Sequence, residues 1–97
     1  MLQRILYILK LFPKQEIFGL TSQLRRASVS IVLNIVEGST RNSKKDFAVF
    51  IDRSIGSSVE TRSGLQIAIN LKFIEEKQVI NIFENIDKIF FKLQKLK

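Results

Sequence analysis

Residues 20–38 read LTSQLRRASVSIVLNIVEG, and this stretch decides the fold class. Its apolar residues recur every three or four positions, which is the spacing of an α-helix and not the strict alternation of a strand. The spacing predicts a helix from about Thr21 to Glu37. Thr21 or Ser22 would cap its N-terminus, and Gly38 would end it.

The helical period continues on both sides of this segment. Upstream, Leu2–Leu9 predicts a short first helix that ends before Pro13, because the residue before a proline avoids the helical conformation. Downstream, Ser43 followed three residues later by Asp46 is a helix start signal. We expect this third helix to continue to about Ile74.

A fourth helix completes the pattern. It begins near Glu75 and Glu76 and ends in a lysine-rich segment, with acids and bases suited to the two ends of a helix dipole. Four helices with short connections predict an all-α, antiparallel, up-and-down four-helix bundle with a shortened first helix. The chain has 97 residues, enough for the single domain 1–97 and too few for two.

The second helix carries more apolar surface than the edge of a bundle needs. One stripe faces the expected core and contains Leu20, Leu24, Ala27, Ile31 and Ile35. A second stripe, about 150° away at a helical 100° per residue, contains Val29, Val32, Leu33 and Val36. Either this helix is deeply buried or the second stripe is a subunit interface, and for so short a chain we favour the interface of a homo-oligomer. On the fourth helix, Ile80 and Phe91 lie off the main stripe and suggest another contact surface.

The middle of the third helix changes from apolar residues to small and hydroxyl-bearing ones. These residues are Ser54, Gly56, Ser57, Ser58, Thr61 and Gly64. Small side chains let another helix approach closely, and this is the interpretation we favour, since glycine inside a helix otherwise costs about 1 kcal/mol. The alternative is a polar pocket in the centre of the bundle.

The composition limits the chemistry. The chain has neither cysteine nor histidine, which excludes zinc sites built on these ligands, thiol nucleophiles and imidazole acid–base catalysis. No glycine-rich phosphate loop is present. Glu37 and Glu60 are the candidate carboxylate pair across the second and third helices. We expect no enzymatic activity, no metal and no cofactor.

The charge points to a polyanionic partner. Lys and Arg total 16 against nine acids, a formal net charge of +7, which favours nucleic acid. Two basic clusters are the candidate contacts for RNA or DNA: Arg25, Arg26, Arg41, Lys44 and Lys45. About fifteen residues, or roughly 20 Å of helix, separate the two clusters. An oligomer would repeat both and form a surface that binds phosphates with a steep salt dependence and little sequence preference.

Two further interpretations stay open. Arg26 shares a polar file of the second helix with Asn34 and Glu37, and Glu60 lies on the third helix. These four residues predict a structural polar network, with phosphate contact as the alternative role of Arg26. For the protein as a whole, the alternative to nucleic-acid binding is a homo-oligomeric scaffold that binds a protein partner.

No segment predicts a membrane anchor. The most apolar run, Ile31–Val36, is interrupted by Asn34 and is far shorter than a bilayer span requires. Met1–Leu11 lacks the basic start and the small-residue cleavage site of a signal sequence. We expect a cytoplasmic protein that does not bind membranes.

Short motifs in a fixed order resemble the signature of a known family. They are Phe12-Pro13, Glu16, Gly19-Leu20, Gln23–Ala27, Ser30, Asn34-Ile35, Glu37-Gly38, Gly56-Ser57, Glu60, Leu65, Ala68 and Ile74. Over roughly residues 12 to 76, the chain is similar to the bacterial four-helix-bundle proteins that were first found as reading frames inside intervening sequences of 23S rRNA.

The resemblance implies a homopentameric ring or barrel with a basic surface. It also implies a relation to the accessory proteins of diversity-generating retroelements, which bind a reverse transcriptase and nucleic acid. Family members usually carry a longer first helix. The short first helix therefore departs from the pattern, and we expect one end of the bundle core to lack cover.

Overall fold

The computed structural model describes all 97 residues, which form four α-helices and no strand. Helix α1 spans Leu2–Leu9, α2 Leu20–Ser39, α3 Lys44–Asn70 and α4 Glu76–Leu96, and a 3₁₀ turn, Lys14–Glu16, precedes α2. Helix α3 packs between α2 and α4, and α1 packs on α2. The predicted all-α four-helix bundle with a shortened first helix is confirmed. None of the helices has the length and apolarity needed to cross a membrane.

Two helices begin where the sequence predicts. The Asp46 N–H donates to Ser43 Oγ at 3.1 Å, which satisfies a free donor in the first turn of α3. At the start of α4, the Glu75 N–H donates to the side-chain oxygen of Gln78 at 2.7 Å, one half of a capping box. Both predicted starts are therefore confirmed.

The predicted cap of α2 is wrong. Gly19 is the N-cap residue, and neither Thr21 nor Ser22 caps the helix. The Leu20 N–H instead donates to Glu16 Oε1 at 3.3 Å. A carboxylate from the preceding 3₁₀ turn takes the role that the sequence pattern assigned to a hydroxyl.

Two predicted helix ends are also wrong. Gly38 does not stop α2, which continues to Ser39. A Cβ at Gly38 would come within 3.1 Å of Phe50 Cβ, so this glycine serves the close packing of α2 on α3. Helix α3 ends at Asn70 and not near Ile74, because Lys72 adopts a left-handed φ of 64° that no helix can contain.

The core has two parts of unequal size. The larger cluster is buried where all four helices meet: Ile5, Ile8, Leu9, Phe12, Leu24, Leu65, Ala68, Ile74, Val79, Ile82, Phe83 and Ile86. The smaller cluster contains only Ile51, Ile55 and Leu93, and half-buried aromatic and aliphatic side chains pack against it. Because α1 contributes only to the first cluster, we call the two parts the four-helix half and the three-helix half.

The small residues in α3 bring α2 and α3 close together. A Cβ at Gly64 would overlap the buried side chain of Leu24. Ser54 Oγ donates to the carbonyl of Ile31 at 2.8 Å, and the other buried hydroxyls of α3 donate to carbonyls of their own helix. No buried side-chain polar atom lacks a hydrogen-bond partner. Close approach of α2 is therefore the role of Ser54 and Gly64, whereas Gly56 meets no atom of the chain. No free polar group remains there to line a central polar pocket.

Candidate functional site

The connection between α2 and α3 gathers one basic cluster at one end of the bundle. Helix α2 ends at Ser39 and α3 begins at Lys44, so Arg41 lies in the turn and Lys44 and Lys45 lie in the first turn of α3. All three cations are exposed. The positive end of the α3 dipole lies at the same place and adds to their field.

The ring of Phe50 contacts two arginine side chains at this end of the bundle. The guanidinium of Arg41 lies 4.7 Å from the centroid of its ring, and that of Arg53 lies 5.0 Å away. Glu37 Oε2 also accepts a hydrogen bond from Arg41 Nη2 at 2.6 Å. A guanidinium stacked on an aromatic face is held in place while its outer N–H groups stay available for phosphate oxygens.

Arg53 was missed at the sequence level. It lies in a segment whose charges cancel, so it does not stand out as part of a basic run. The available signal was the spacing of Phe50 and Arg53, three residues apart on one helix, where side chains meet. Arg53 forms no ion pair with an acid, and we define the basic end as Arg41, Lys44, Lys45 and Arg53.

The other basic cluster lies in the four-helix half. Arg25 and Arg26 are both exposed on α2 and take part in none of the ion pairs of the chain. Arg25 lines a shallow groove together with Lys10 and Lys14 from the α1–α2 connection. These two lysines were also missed, because they are distant from Arg25 in sequence.

The four residues assigned to a polar network do not bond to one another. They are Arg26, Asn34, Glu37 and Glu60. Asn34 Nδ2 donates to the carbonyl of Ser30 in its own helix at 2.8 Å, and Glu37 is paired with Arg41. Arg26 and Glu60 are exposed and make no side-chain hydrogen bond. Local partners therefore satisfy Asn34 and Glu37, and the predicted network between α2 and α3 does not form.

The second apolar stripe of α2 lies on the surface. Val29 is half-buried, and Val32, Leu33 and Val36 are 39%, 57% and 54% exposed. In the first stripe, Leu24 and Ile31 are fully buried. The alternative of an α2 buried all round is therefore wrong, and the four residues, which we call the α2 stripe, stay predicted as a subunit interface.

A groove between α3 and α4 forms a second apolar surface. Val59 and Ser63 line it from α3, and Phe90 and Phe91 line it from α4. We call it the α3–α4 groove. Phe91 is 63% exposed, as expected for the second contact surface of α4.

An ion pair crosses this groove. Arg62 Nε donates to Asp87 Oδ1 at 2.9 Å, and the Arg62 guanidinium lies 4.4 Å from the ring centroid of Phe83. The hydrogen bond from Arg62 lowers the pKa of the Asp87 carboxyl, and the same bond raises the pKa of Arg62. The pair is therefore charged throughout the physiological range.

The site offers exposed charge and exposed apolar surface. No three acidic side chains are grouped as metal ligands would be. Four antiparallel helices with these surfaces define a small four-helix-bundle protein. The family model described as "23S rRNA-intervening sequence protein" matches residues 1–95, and the chain belongs to this family. A comparison with curated proteins gave no match.

Proposed function

We propose that this protein is a non-catalytic, homo-oligomeric nucleic-acid-binding protein that holds the phosphates of RNA or DNA at its basic end. The observation that carries this proposal is the grouping of four exposed cations at the α2–α3 connection: Arg41 and Arg53 stack on Phe50, and Lys44 and Lys45 lie in the first turn of α3. Only Arg41 among them is paired with an acid. Unpaired cations held at fixed positions bind phosphates by releasing counterions from the nucleic acid.

The surface fits backbone binding and not base reading. Arg and Lys at the basic end reach phosphate oxygens, which carry no sequence information. Three aromatic side chains are exposed: Phe18 in the α1–α2 connection is 94% exposed and is the most available for base stacking, and Tyr7 and Phe91 are 64% and 63% exposed. We infer binding of RNA or DNA with low sequence preference.

The self-association that we propose would enlarge the basic surface available to nucleic acid. One protomer presents two basic clusters at different heights of the bundle, and assembly through the α2 stripe repeats both around a common axis. The homopentamer that the family resemblance implies is the state we propose. A relation to the accessory proteins of diversity-generating retroelements belongs to the same proposal.

Binding of a labelled structured RNA across a salt series tests the nucleic-acid proposal. The logarithm of the association constant should fall linearly with the logarithm of salt concentration, with a slope set by the number of phosphates contacted. No binding at low salt, or an affinity that ignores salt, would reject the proposal.

A charge-reversal variant tests the basic end. Arg41→Glu, Lys44→Glu and Lys45→Glu together should weaken RNA binding by about tenfold or more, since each lost phosphate contact reduces affinity and salt slope. A matched control carries the same charge change on other exposed lysines, as Lys72→Glu, Lys77→Glu and Lys88→Glu. Equal losses in the two variants would mean that net charge alone drives binding and that the basic end is not the site.

The subunit interface has its own test. Val32→Asp or Val36→Asp should convert the assembly to monomers, because a charge in an apolar contact loses hydration without gaining a partner. Leu71→Asp, just after the end of α3, is the matched control, since Leu71 is similarly exposed and lies outside the α2 stripe and the α3–α4 groove. Light scattering reports the mass, and a Val32→Asp protein that keeps the wild-type mass would reject the α2 stripe as interface.

A scaffold that binds a protein partner is the second candidate. The observation in its favour is the exposed apolar pair Ile17 and Phe18 in the α1–α2 connection, which are 52% and 94% exposed. An oligomer that fails to bind RNA at low salt would favour this function over the first.

A further inference from the structure

We propose that the α3–α4 groove receives the α2 stripe of a second copy of this chain, in a head-to-tail contact between two different surfaces. This inference rests on the self-association proposed above and adds which surfaces meet. The α2 stripe is one half of the contact, and the other half is built by Gly56, Val59, Ser63 and Phe91 with the nearby acids of α4.

The groove has apolar surface and open space that its own chain does not use. Phe91 is 63% exposed and Val59 is 49% exposed. Gly56 lies one helical turn before Val59, and a Cβ built there would meet nothing within 4 Å. A glycine inside a helix costs about 1 kcal/mol relative to alanine, and the two glycines at Gly38 and Gly64 offset that cost by close packing. Gly56 has no such contact within the chain, so its open surface suits the approach of another helix.

Arg25 and Glu84 give the two surfaces one complementary pair of charges. Arg25 lies on the same side of α2 as the stripe, at its N-terminal end, and is exposed without an ion pair. Glu84 lies on the same side of α4 as Phe91 and is likewise exposed and unpaired. Complementary charges at the edge of an apolar contact fix its register and disfavour other partners.

The register of the two helices matches. Arg25 precedes Val32 by seven residues, and Glu84 precedes Phe91 by seven, which is about 10.5 Å of helix rise in both. In an up-and-down bundle α2 and α4 run in the same direction. Copies related by rotation about an axis along the bundle keep that direction. One placement therefore sets Arg25 beside Glu84 and Val32 beside Phe91 simultaneously.

Other partners for the α2 stripe fit less well. The groove between α1 and α4 is lined by Arg4, Tyr7, Leu11 and Gln78 and contains no acid, so Arg25 would meet a like charge there. A two-fold contact between two α2 stripes leaves Phe91 in water. A contact between two different surfaces covers both and closes into a ring when the rotation between copies permits.

Disulfide cross-linking tests the contact directly, because the chain contains no cysteine. The double variant Val32→Cys/Phe91→Cys should form intermolecular disulfides on mild oxidation, seen as a ladder of oligomers on a non-reducing gel. The control Val32→Cys/Ile80→Cys places the second thiol eleven residues away on the same face, about 16 Å off and beyond the 7 Å or so that a disulfide can span. No ladder, or equal ladders from both pairs, would overturn the inference. Dimers from Val32→Cys alone would favour the two-fold contact instead and overturn it as well.

A charge swap provides a second test. Arg25→Glu and Glu84→Arg should each weaken assembly by about five- to tenfold at low salt, and the double variant should recover most of the loss. Glu76→Arg combined with Arg25→Glu is the control that should not recover. If Val32→Asp gives monomers while the swap and the cross-link fail, self-association stands and only this choice of surfaces is wrong. A monomeric wild-type protein would overturn both the proposed self-association and the proposed contact between the α2 stripe and the α3–α4 groove.

Discussion

The four-helix half and the three-helix half of this bundle differ in how much of their apolar surface is covered. In the four-helix half, twelve apolar residues are buried in one cluster to which every helix contributes. In the three-helix half the cluster has three buried members. The difference follows from helix length: α1 has eight residues and α3 has 27, so at about 1.5 Å per residue α1 covers less than half of the bundle.

The less-covered half carries the surfaces proposed for partners. The basic end belongs to it, and so does most of the α2 stripe. The half with the complete core is expected to supply most of the stability, while the other half supplies charge and exposed apolar side chains. This division can be tested by matched substitutions in the two halves.

The largest expected contrast comes from one substitution made in each half. Leu65→Ala should lower the free energy of unfolding by about 4 kcal/mol, because Leu65 is fully buried in the large cluster and its cavity cannot collapse. Leu93→Ala should cost only about 2 kcal/mol, since half-buried neighbours in the small cluster can move in. Urea unfolding should be compared at one protein concentration, because self-association makes stability concentration-dependent. Equal losses would mean that the two halves are equally rigid.

The two glycines of α3 should respond in opposite directions. Gly64→Ala forces a methyl group into the side chain of Leu24 and should destabilise the bundle by about 1–3 kcal/mol. Gly56→Ala meets no atom of its own chain and, at a protein concentration low enough to keep the chain monomeric, should stabilise it by up to about 1 kcal/mol. Thermal unfolding of the two variants measures both effects. A Gly64→Ala protein as stable as wild type would show that α2 and α3 can separate without cost.

A hydroxyl that links two helices should matter more than one that bonds within its helix. Ser54 donates to the carbonyl of Ile31 on α2, whereas Ser58 donates to a carbonyl of its own helix. Ser54→Ala should lower the free energy of unfolding by about 1 kcal/mol, because it removes the hydrogen bond that the Ile31 carbonyl accepts from α3. Ser58→Ala should leave the free energy of unfolding almost unchanged. A larger loss from Ser58→Ala than from Ser54→Ala in urea unfolding would contradict this role of Ser54 in the contact between α2 and α3.

The smallest effect is expected from the exposed ion pair. The side chains of Arg62 and Asp87 are 42% and 47% exposed, so Asp87→Asn should cost less than about 1 kcal/mol at neutral pH. The pKa of Asp87 is lowered by the Arg62 hydrogen bond, so its contribution is present above the ordinary aspartate pKa and is lost as the pH falls through the lowered value. The difference between wild type and variant should thus be constant from about pH 5 to 8 and disappear well below about pH 4. A difference that grows towards acid would contradict the sign of this linkage.

Much of the fold was predictable because it depends on spacing along the chain. The helical period and the Ser43–Asp46 cap are local signals, and both were confirmed. Gly38 shows where such signals fail: a glycine at a helix end and a glycine at a helix contact look the same in sequence, and only the position of Phe50 distinguishes them. The end of α3 was missed for a similar reason, since a lysine in the left-handed region leaves no sequence signal.

The candidate site was predictable only in part. Arg41, Lys44 and Lys45 form a visible run around the α2–α3 connection, so counting charge along the chain found them. Arg53 reaches the same place through its stacking on Phe50, and Lys10 and Lys14 approach Arg25 through the folding of the first connection. These contacts depend on the tertiary structure, so the net charge of each sequence segment does not reveal them.

The buried polar residues of this bundle have a consequence for how its binding could be controlled. They are Thr21, Ser28, Ser54, Ser58 and Thr61, all of which carry hydroxyls that do not ionise near neutrality, and the chain contains no histidine. No side chain therefore has an ordinary pKa between about 5 and 8. Acidification to about pH 5 would therefore change the charge of few side chains, whereas added potassium or magnesium would compete for phosphates in the nucleic-acid binding proposed above. That binding should depend on ionic strength and depend little on pH between about 5 and 8.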